Sequence, residues 1–466
     1  MTIVYICKKN KMNKKIIFLI LLLSTNFSFS QENMFKCLST KLTKDETIFS
    51  KNYLEILNSY KEIKAYQDKT IIEIPIVVHI VHRNSHANIG SGTNISDAQI
   101  EDQIRILNED YSKTNSEFPN PPRNNFLSVS GNANIKFCLA TEDPNGNSTN
   151  GITRTSTSQV NWDADDNSNS TCHQANGMKK TICGGKDGWD PARYLNIWVC
   201  DLTNSQSNGM TLGYAYLPGL LADFNSSNDY KDGLVVDYRW FGSTGIATPQ
   251  SDGRTATHEI GHYLGLMHTF CEDMDASGNW VCCDNDNTNW GGYVDDTPAA
   301  KDIYFGVVSS NTNNNTCNDL LYGFSNDQID MDENYMSYAY NTWMFSQKQV
   351  DVMRSTLNRQ DWLGGRLNLQ NSTVSTNCSG TISNINHLSK NKLEIFPNPS
   401  YGNIKFKSEK KIFKVFIYNI LNEKILAINT IKNNQIDISN LKNGLYFIEV
   451  ITTNYESSLH KIILSK

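Results

Sequence analysis

The apolar run nearest the N-terminus, Ile16–Leu23, has eight residues. That is far short of the roughly 20 needed to cross a bilayer, so no transmembrane segment is expected in the mature protein. Positive charge is scarce in the body of the chain. Against an overall charge of −6, residues 1–30 carry five Lys and no acid, and residues 392–466 carry eleven Lys and six acids, which leaves −16 in 31–391. Nucleic acids and anionic membranes need a basic footprint, and are excluded as main partners. Cysteine is missing from the last 75 residues, so every disulfide must lie upstream. A single core is excluded at 466 residues, and a composition with 39% hydrophobic and 10% aromatic residues excludes a disordered or collagen-like polymer.

What is present begins with an export signal. Lys14-Lys15 precede the apolar run, and Ser28-Phe29-Ser30 place small residues at −3 and −1 of a cleavage point, so residues 1–30 read as a signal peptide. Ten Cys follow Ser30. In an exported chain they are expected to form disulfides rather than metal thiolates. Residues 31–70 are polar and without strand pattern, where a propeptide would sit.

Ser96-Asp97-Ala98-Gln99 reads as a capping box with Ile95 and Ile100 as its staple. Ile100, Ile104, Leu107 and Tyr111 then share one helical face. Strands are expected at Ile71–Val81, Ile135–Ala140, Tyr194–Leu202, Leu212–Leu217 and Leu234–Tyr238, and loops dominate from Gly265 to Phe345–Leu357. The fold class is therefore α+β, a twisted, mainly β-sheet backed by helices with an active-site helix and a loop-rich C-terminal subdomain, over 71–369. A Ser/Asn/Thr-rich linker follows at 370–391, and 392–466 alternate as a small β-sandwich.

The chemistry lies in Thr257-His258-Glu259-Ile260-Gly261-His262-Tyr263-Leu264-Gly265-Leu266-Met267-His268. Residues i and i+4 of a helix share a face, so His258 and His262 can present imidazoles to one ion. Glu259 beside them can take a proton from zinc-activated water as general base. Gly265 permits the left-handed turn that ends the helix, letting His268 return as third ligand. Three neutral His with an open fourth position suit catalytic zinc. This is the extended motif of the metzincin proteases, and Asn334-Tyr335-Met336-Ser337-Tyr338 supplies the Met-turn candidate. Met336 would floor the site and the Tyr338 phenol would bond the oxyanion.

Over roughly 72–360 the chain resembles the pappalysin (cytophagalysin) family of metzincin metalloendopeptidases. The likeness also includes Ile74–His79, Asn94–Gln99, Phe137–Ala140, Gly151–Arg154, Tyr194–Cys200 and Asp296-Thr297-Pro298. It implies a secreted zinc metalloendopeptidase acting on proteins or peptides, with a cleft between two subdomains. It further implies a zymogen in which Cys37 ligates zinc; the Gly that usually follows this Cys is Leu38 here. If Cys37 sits on zinc, nine Cys remain and one must be unpaired.

The chain also departs from the family pattern. Thr342 stands where an acid lines the first primed-side pocket, so a preference for basic residues is not carried over. Trp343 replaces a disulfide Cys. Gly292 replaces an acid of the calcium loop, leaving Asp295, Asp296 and Thr297, together with an insertion holding Asp273, Asp275 and Asp284, as the calcium candidates. The C-terminal unit resembles the sorting domain of the Bacteroidetes type IX secretion system, through Leu393–Pro399, Gly402, Ile436–Ser439, Leu441, Gly444–Tyr446 and the terminal Lys461–Lys466. That implies the secretion machinery as partner and a secreted or surface location. The rival reading is a surface binding protein or adhesin on an inactive protease scaffold.

Overall fold

The computed structural model describes residues 34–37, 39, 70–378 and 393–466, apart from 167, 169, 204–208, 219–228, 272–274, 276, 283–293, 360, 362–363, 409–410, 420–423, 429–430 and 453–456. The signal peptide and most of the propeptide expected from the sequence lie outside these, as do Asp273, Asp284 and Gly292. The chain forms two compact units, Met1–Gly380 and Thr381–Lys466.

The first unit is built on one seven-stranded sheet. Its central strand β2 (Ile72–Arg83) is hydrophobic on both faces and buried almost throughout, as a strand flanked on both sides by parallel partners must be. On one side it pairs in parallel with β3 (Ile135–Leu139) and, further along, β4 (Ile152–Thr157). On the other it pairs with β5 (Leu195–Cys200), and the sheet continues through β7 (Leu234–Asp237) to β6 (Gly209–Ala215) and β1 (Met34–Cys37). β6 is antiparallel to β7, and β1 adds parallel to β6 as the outermost strand.

The three longest described helices of this unit position the site. In α1 (Asp97–Tyr111), Ile100, Ile104, Leu107 and Tyr111 are all buried, as their spacing requires, and the Ser96 hydroxyl accepts the Gln99 amide. The return half of the expected capping box is absent. The Gln99 side chain instead donates to the carbonyls of Tyr238 and Phe241 and accepts the Ile246 amide. Satisfying these loop groups outweighs a cap that water can replace. The full capping box falls at α3 (Gln347–Asn358), where Ser346 and Gln349 bond each other's backbone amides. Between α1 and α3 runs α2 (Arg254–Tyr263), with α1 at its flank: Tyr111 donates to the Thr257 carbonyl at 3.0 Å.

Residues 370–378, expected as linker, belong to the first unit. Thr141 N–H donates to Ser375 O, Asn377 N–H donates to Leu139 O, Val374 is buried and Cys378 is bridged to Cys138. The Ser/Thr/Asn composition misleads because backbone pairing to an edge of the sheet does not require apolar side chains. Further disulfides join Cys172 to Cys183 and Cys282 to Cys317, and Cys271 is also bridged. Cys37 and buried Cys200 are free, so Cys200 fills the place of the odd cysteine.

The second unit has a four-stranded antiparallel sheet and a three-stranded one. The first comprises β10 (Ile412–Tyr418), β11 (Lys424–Ile428), β13 (Gly444–Thr452) and β14 (Ser457–Leu464); the second comprises β8 (Glu394–Phe396), β9 (Asn403–Lys407) and β12 (Gln435–Asp437). Ile404, Phe406, Val415, Ile417, Ile436 and Ile448 share one core, a sandwich.

Candidate active site

α2 presents His258 and His262 from one face, and its end delivers the third imidazole. The helix stops at Leu264, Gly265 takes φ +101°, and the chain turns back. The Nε2 atoms of His258, His262 and His268 stand 3.1 Å apart in all three pairs. Each helical His is held from behind: Nδ1–H of His258 donates to the Tyr335 carbonyl, and Nδ1–H of His262 to the Leu266 carbonyl, both at 2.7 Å. A carbonyl only accepts, so the proton is on Nδ1 and the Nε2 lone pair is free. The lone pairs of His258 and His262 therefore converge with the Nε2 of His268, an arrangement that a cation satisfies. Their 3.1 Å spacing is close to the ~3.3 Å between two ligands at ~2.05 Å in a tetrahedral zinc site. Burial also holds the two helical imidazoles neutral, His258 down to about 3 and His262 well below its usual value, with the neighbouring imidazoles adding to the effect.

The sulfur of Cys37 completes the set: its ligand atom and the three nitrogens all lie within 4.8 Å of one another. β1 delivers it by pairing along β6 at the rim of the cleft. The thiol donates to Glu259 Oε2 at 3.3 Å, and burial together with that carboxylate pushes its pKa well up while no cation is near. Ser39 is a residue at this centre that the sequence reading missed. Its buried hydroxyl donates to the same Glu259 oxygen at 3.0 Å and accepts the Ala215 amide of β6 at 2.9 Å. A small polar residue two places after Cys37 was the available signal.

Glu259 is buried between α2 and β6, where burial lifts its carboxyl to about 8 against the bonds from Cys37 and Ser39. The fit is close. A Cβ added at Gly213 of β6 would lie 2.9 Å from the Val235 carbonyl and 3.0 Å from Glu259 Cγ. Met336 is fully buried under α2, and a Cβ at Gly261 would fall 2.4 Å from its sulfur, so the glycine inside the His motif is what lets the Met-turn pack there. The Tyr338 phenol accepts the Cys37 amide at 3.0 Å, and its ring sits against those of His268 and Phe270.

A cavity of about 460 Å³ opens beside this centre, lined among others by Leu212, Trp240, Arg254, Phe305 and Thr342. Thr342 is buried on its wall, and Asp252, also on the lining, lies 3.6 Å from Arg254. Three of the calcium candidates, Asp295, Asp296 and Thr297, can be followed among the described residues. Asp296 gives one oxygen to the Ser346 hydroxyl and the other to the Lys348 amide, so it caps α3; Asp295 pairs with Lys348; and Thr297 bonds the Val294 carbonyl. Buried His79, by contrast, is held by Thr153 and Asn196 beneath two tryptophans and is structural.

Comparison with known proteins agrees with this geometry. Residues 176–358 match the family described as pregnancy-associated plasma protein-A, and 394–465 match the secretion system C-terminal sorting domain. An extracellular metalloprotease of Arthroderma benhamiae is 28% identical over 297 residues, covering 64% of this chain and 81% of that protein. Among solved structures, a mutant of Tannerella forsythia promirolysin is 34% identical with a TM-score of 0.54, covering 72% of this chain and 96% of that one. Mature mirolysin from the same organism, in complex with a cleaved peptide, is 37% identical with a TM-score of 0.50, covering 65% and 96%. A chain that matches nearly the whole of a metalloprotease at this identity, and carries the same family's domain around its His cluster, belongs to the pregnancy-associated plasma protein-A family of metalloendopeptidases, secreted as a zymogen with a C-terminal sorting domain.

Proposed function

We propose that His258, His262 and His268 hold zinc, that Glu259 is the general base of peptide hydrolysis, that Tyr338 steadies the oxyanion, and that Cys37 ligates the zinc in the precursor. The convergence of three Nε2 atoms, with two of the rings locked by carbonyls, carries this reading. When bound, zinc polarises the scissile carbonyl and lowers the pKa of water toward ~7.

The protein's own groups do the remainder. Glu259, one residue along the helix from His258, is placed to take the proton from the attacking water and pass it to the leaving amine. The Tyr338 phenol, bonded in this closed state to Cys37, is freed when β1 leaves and can then donate to the carbonyl oxygen as charge develops on it. Met336 floors the cluster and excludes water from below. β1 occupies the rim strand that an extended substrate would pair with, so the precursor is closed along the backbone as well as at the metal.

Thr342 offers the pocket a hydroxyl and no charge, and cleavage is not expected to be directed to basic residues.

The test is a digest of a denatured proteome by the activated protein, with new termini mapped by mass spectrometry. Glu259→Ala should keep its fold and zinc while activity falls by roughly 10²–10⁴-fold, the usual worth of a positioned base. Activity surviving that change removes Glu259 from the role. Enzyme-dependent termini that cluster before Arg or Lys overturn the reading of Thr342.

A further inference from the structure

A metal-ligating imidazole works only if its ring is held from the second nitrogen, and for His258 that hold is the Tyr335 carbonyl. What fixes Tyr335 lies on another helix. The Tyr335 hydroxyl donates to Asp110 Oδ1 at 2.6 Å, and the other oxygen, Oδ2, accepts the hydroxyl of Thr257 at 2.7 Å. Thr257 is the residue before His258 on α2. One carboxylate, in the last turn of α1, thus grips both the chain just ahead of the ligand and the residue whose carbonyl aims its ring. Its side chain is 1% exposed, and its nearest charged neighbour is Arg254, whose Nε is 3.5 Å away. Arg254 in turn is engaged by both oxygens of Glu117 at 2.9 and 2.8 Å. Asp110 does not line the cavity, so it touches neither substrate nor metal. Burying a carboxylate costs several kcal/mol unless its lone pairs are filled, and here two short hydroxyl bonds fill them.

We propose that Asp110 is a positioning residue for the metal centre, setting His258 through Thr257 on one side and the Tyr335 carbonyl on the other. The proposal rests on the reading of His258 as a zinc ligand. The Tyr335 backbone is braced independently by its N–H to the Met344 carbonyl and by ring packing on Phe345. Loss of Asp110 therefore leaves the Met-turn in place but lets its tyrosine hydroxyl and the Thr257 hydroxyl, both buried, seek new partners, tilting His258 off its line.

The experiment is zinc affinity of the full-length chain, measured by competition with a chromophoric chelator, with folding checked by near-UV circular dichroism and by the melting temperature of the zinc-free protein. Asp110→Ala should weaken zinc binding about 10- to 100-fold, as loss of groups that orient metal ligands does elsewhere. Asp110→Asn keeps an acceptor for one of the two hydroxyls and should recover most of that loss. A merely structural residue would lower the melting temperature of the zinc-free protein and leave the affinity alone. Should Asp110→Ala not fold, Thr257→Val and Tyr335→Phe each remove one donor, and each should weaken zinc severalfold. Wild-type affinity in a folded Asp110→Ala, or in both of those substitutes, overturns the proposal. A wild-type chain that binds no zinc overturns the zinc reading beneath it.

Discussion

Latency at the level of single residues is shared between Cys37 and Ser39. On the proposed reading the cysteine would take the fourth ligand position and the serine would mask the base: its hydroxyl fills a lone pair of Glu259 and is itself pinned by the Ala215 amide. The two contacts differ in strength. A thiolate on zinc is a coordinate bond, and a buried hydroxyl-to-carboxylate bond contributes roughly 1.5–3 kcal/mol net. Ser39→Ala in the full-length precursor should therefore leave the fold and the cysteine contact intact while shortening the lag before activity appears, by about three- to tenfold once relaxation of the empty site is allowed for. Cys37→Ala should abolish most of the lag. Activation time courses of the two purified precursors decide this, and an unchanged lag for Ser39→Ala would make its hydrogen bonds incidental to latency.

Among the elements, legibility followed the range of the interactions that make each one. The α1 face, the five apolar strands and the His motif of α2 are written in local pattern, so Ile100, Ile104, Leu107 and Tyr111 or His258 and His262 could be placed before any fold was known. β4 could not. Ile152–Thr157 is polar and mostly half-exposed, and it is a strand only because β2 is long enough to pair with β3 and then with β4 along the same edge. β1 and Ser39 were hidden for the same reason, since their structure is made by β6 and by Glu259. The turn at 370–378 and its bridge from Cys378 to Cys138 span 240 residues, a distance that composition does not register. That bridge closes the longest loop of the described disulfides and should matter most to stability. Replacing both cysteines by Ala is expected to cost roughly 3–5 kcal/mol. The urea midpoint should fall while zinc affinity stays as it was, because neither residue touches the metal cluster; an unmoved midpoint would mean that the backbone pairing of 375–377 to β3 and its flank suffices.

For the molecule as a whole, the division of labour is a division of cores. The peptidase unit packs its sheet around Ile76, Val78, Ile197 and Val235, and the sorting unit packs a separate sandwich around Ile404, Val415 and Ile448. The described disulfides all lie in the first. The protein is secreted or displayed through the type IX route, and the net charge follows nearly the same partition: −16 over residues 31–391, and eleven Lys against six acids over residues 392–466. Separate cores fold separately, and an address read by the export machinery has no part in holding His258, His262 and His268 together. Deleting Thr381–Lys466 should accordingly leave a chain with unchanged zinc affinity, unchanged thermal midpoint for the peptidase unit, and unchanged latency through Cys37. In a host with type IX secretion, immunoblots of cell fractions should find that truncated chain retained in the periplasm and absent from both medium and cell surface. Its appearance outside the cell would assign the export signal to the peptidase unit. Loss of zinc binding on truncation would instead mean that the two cores stabilise each other.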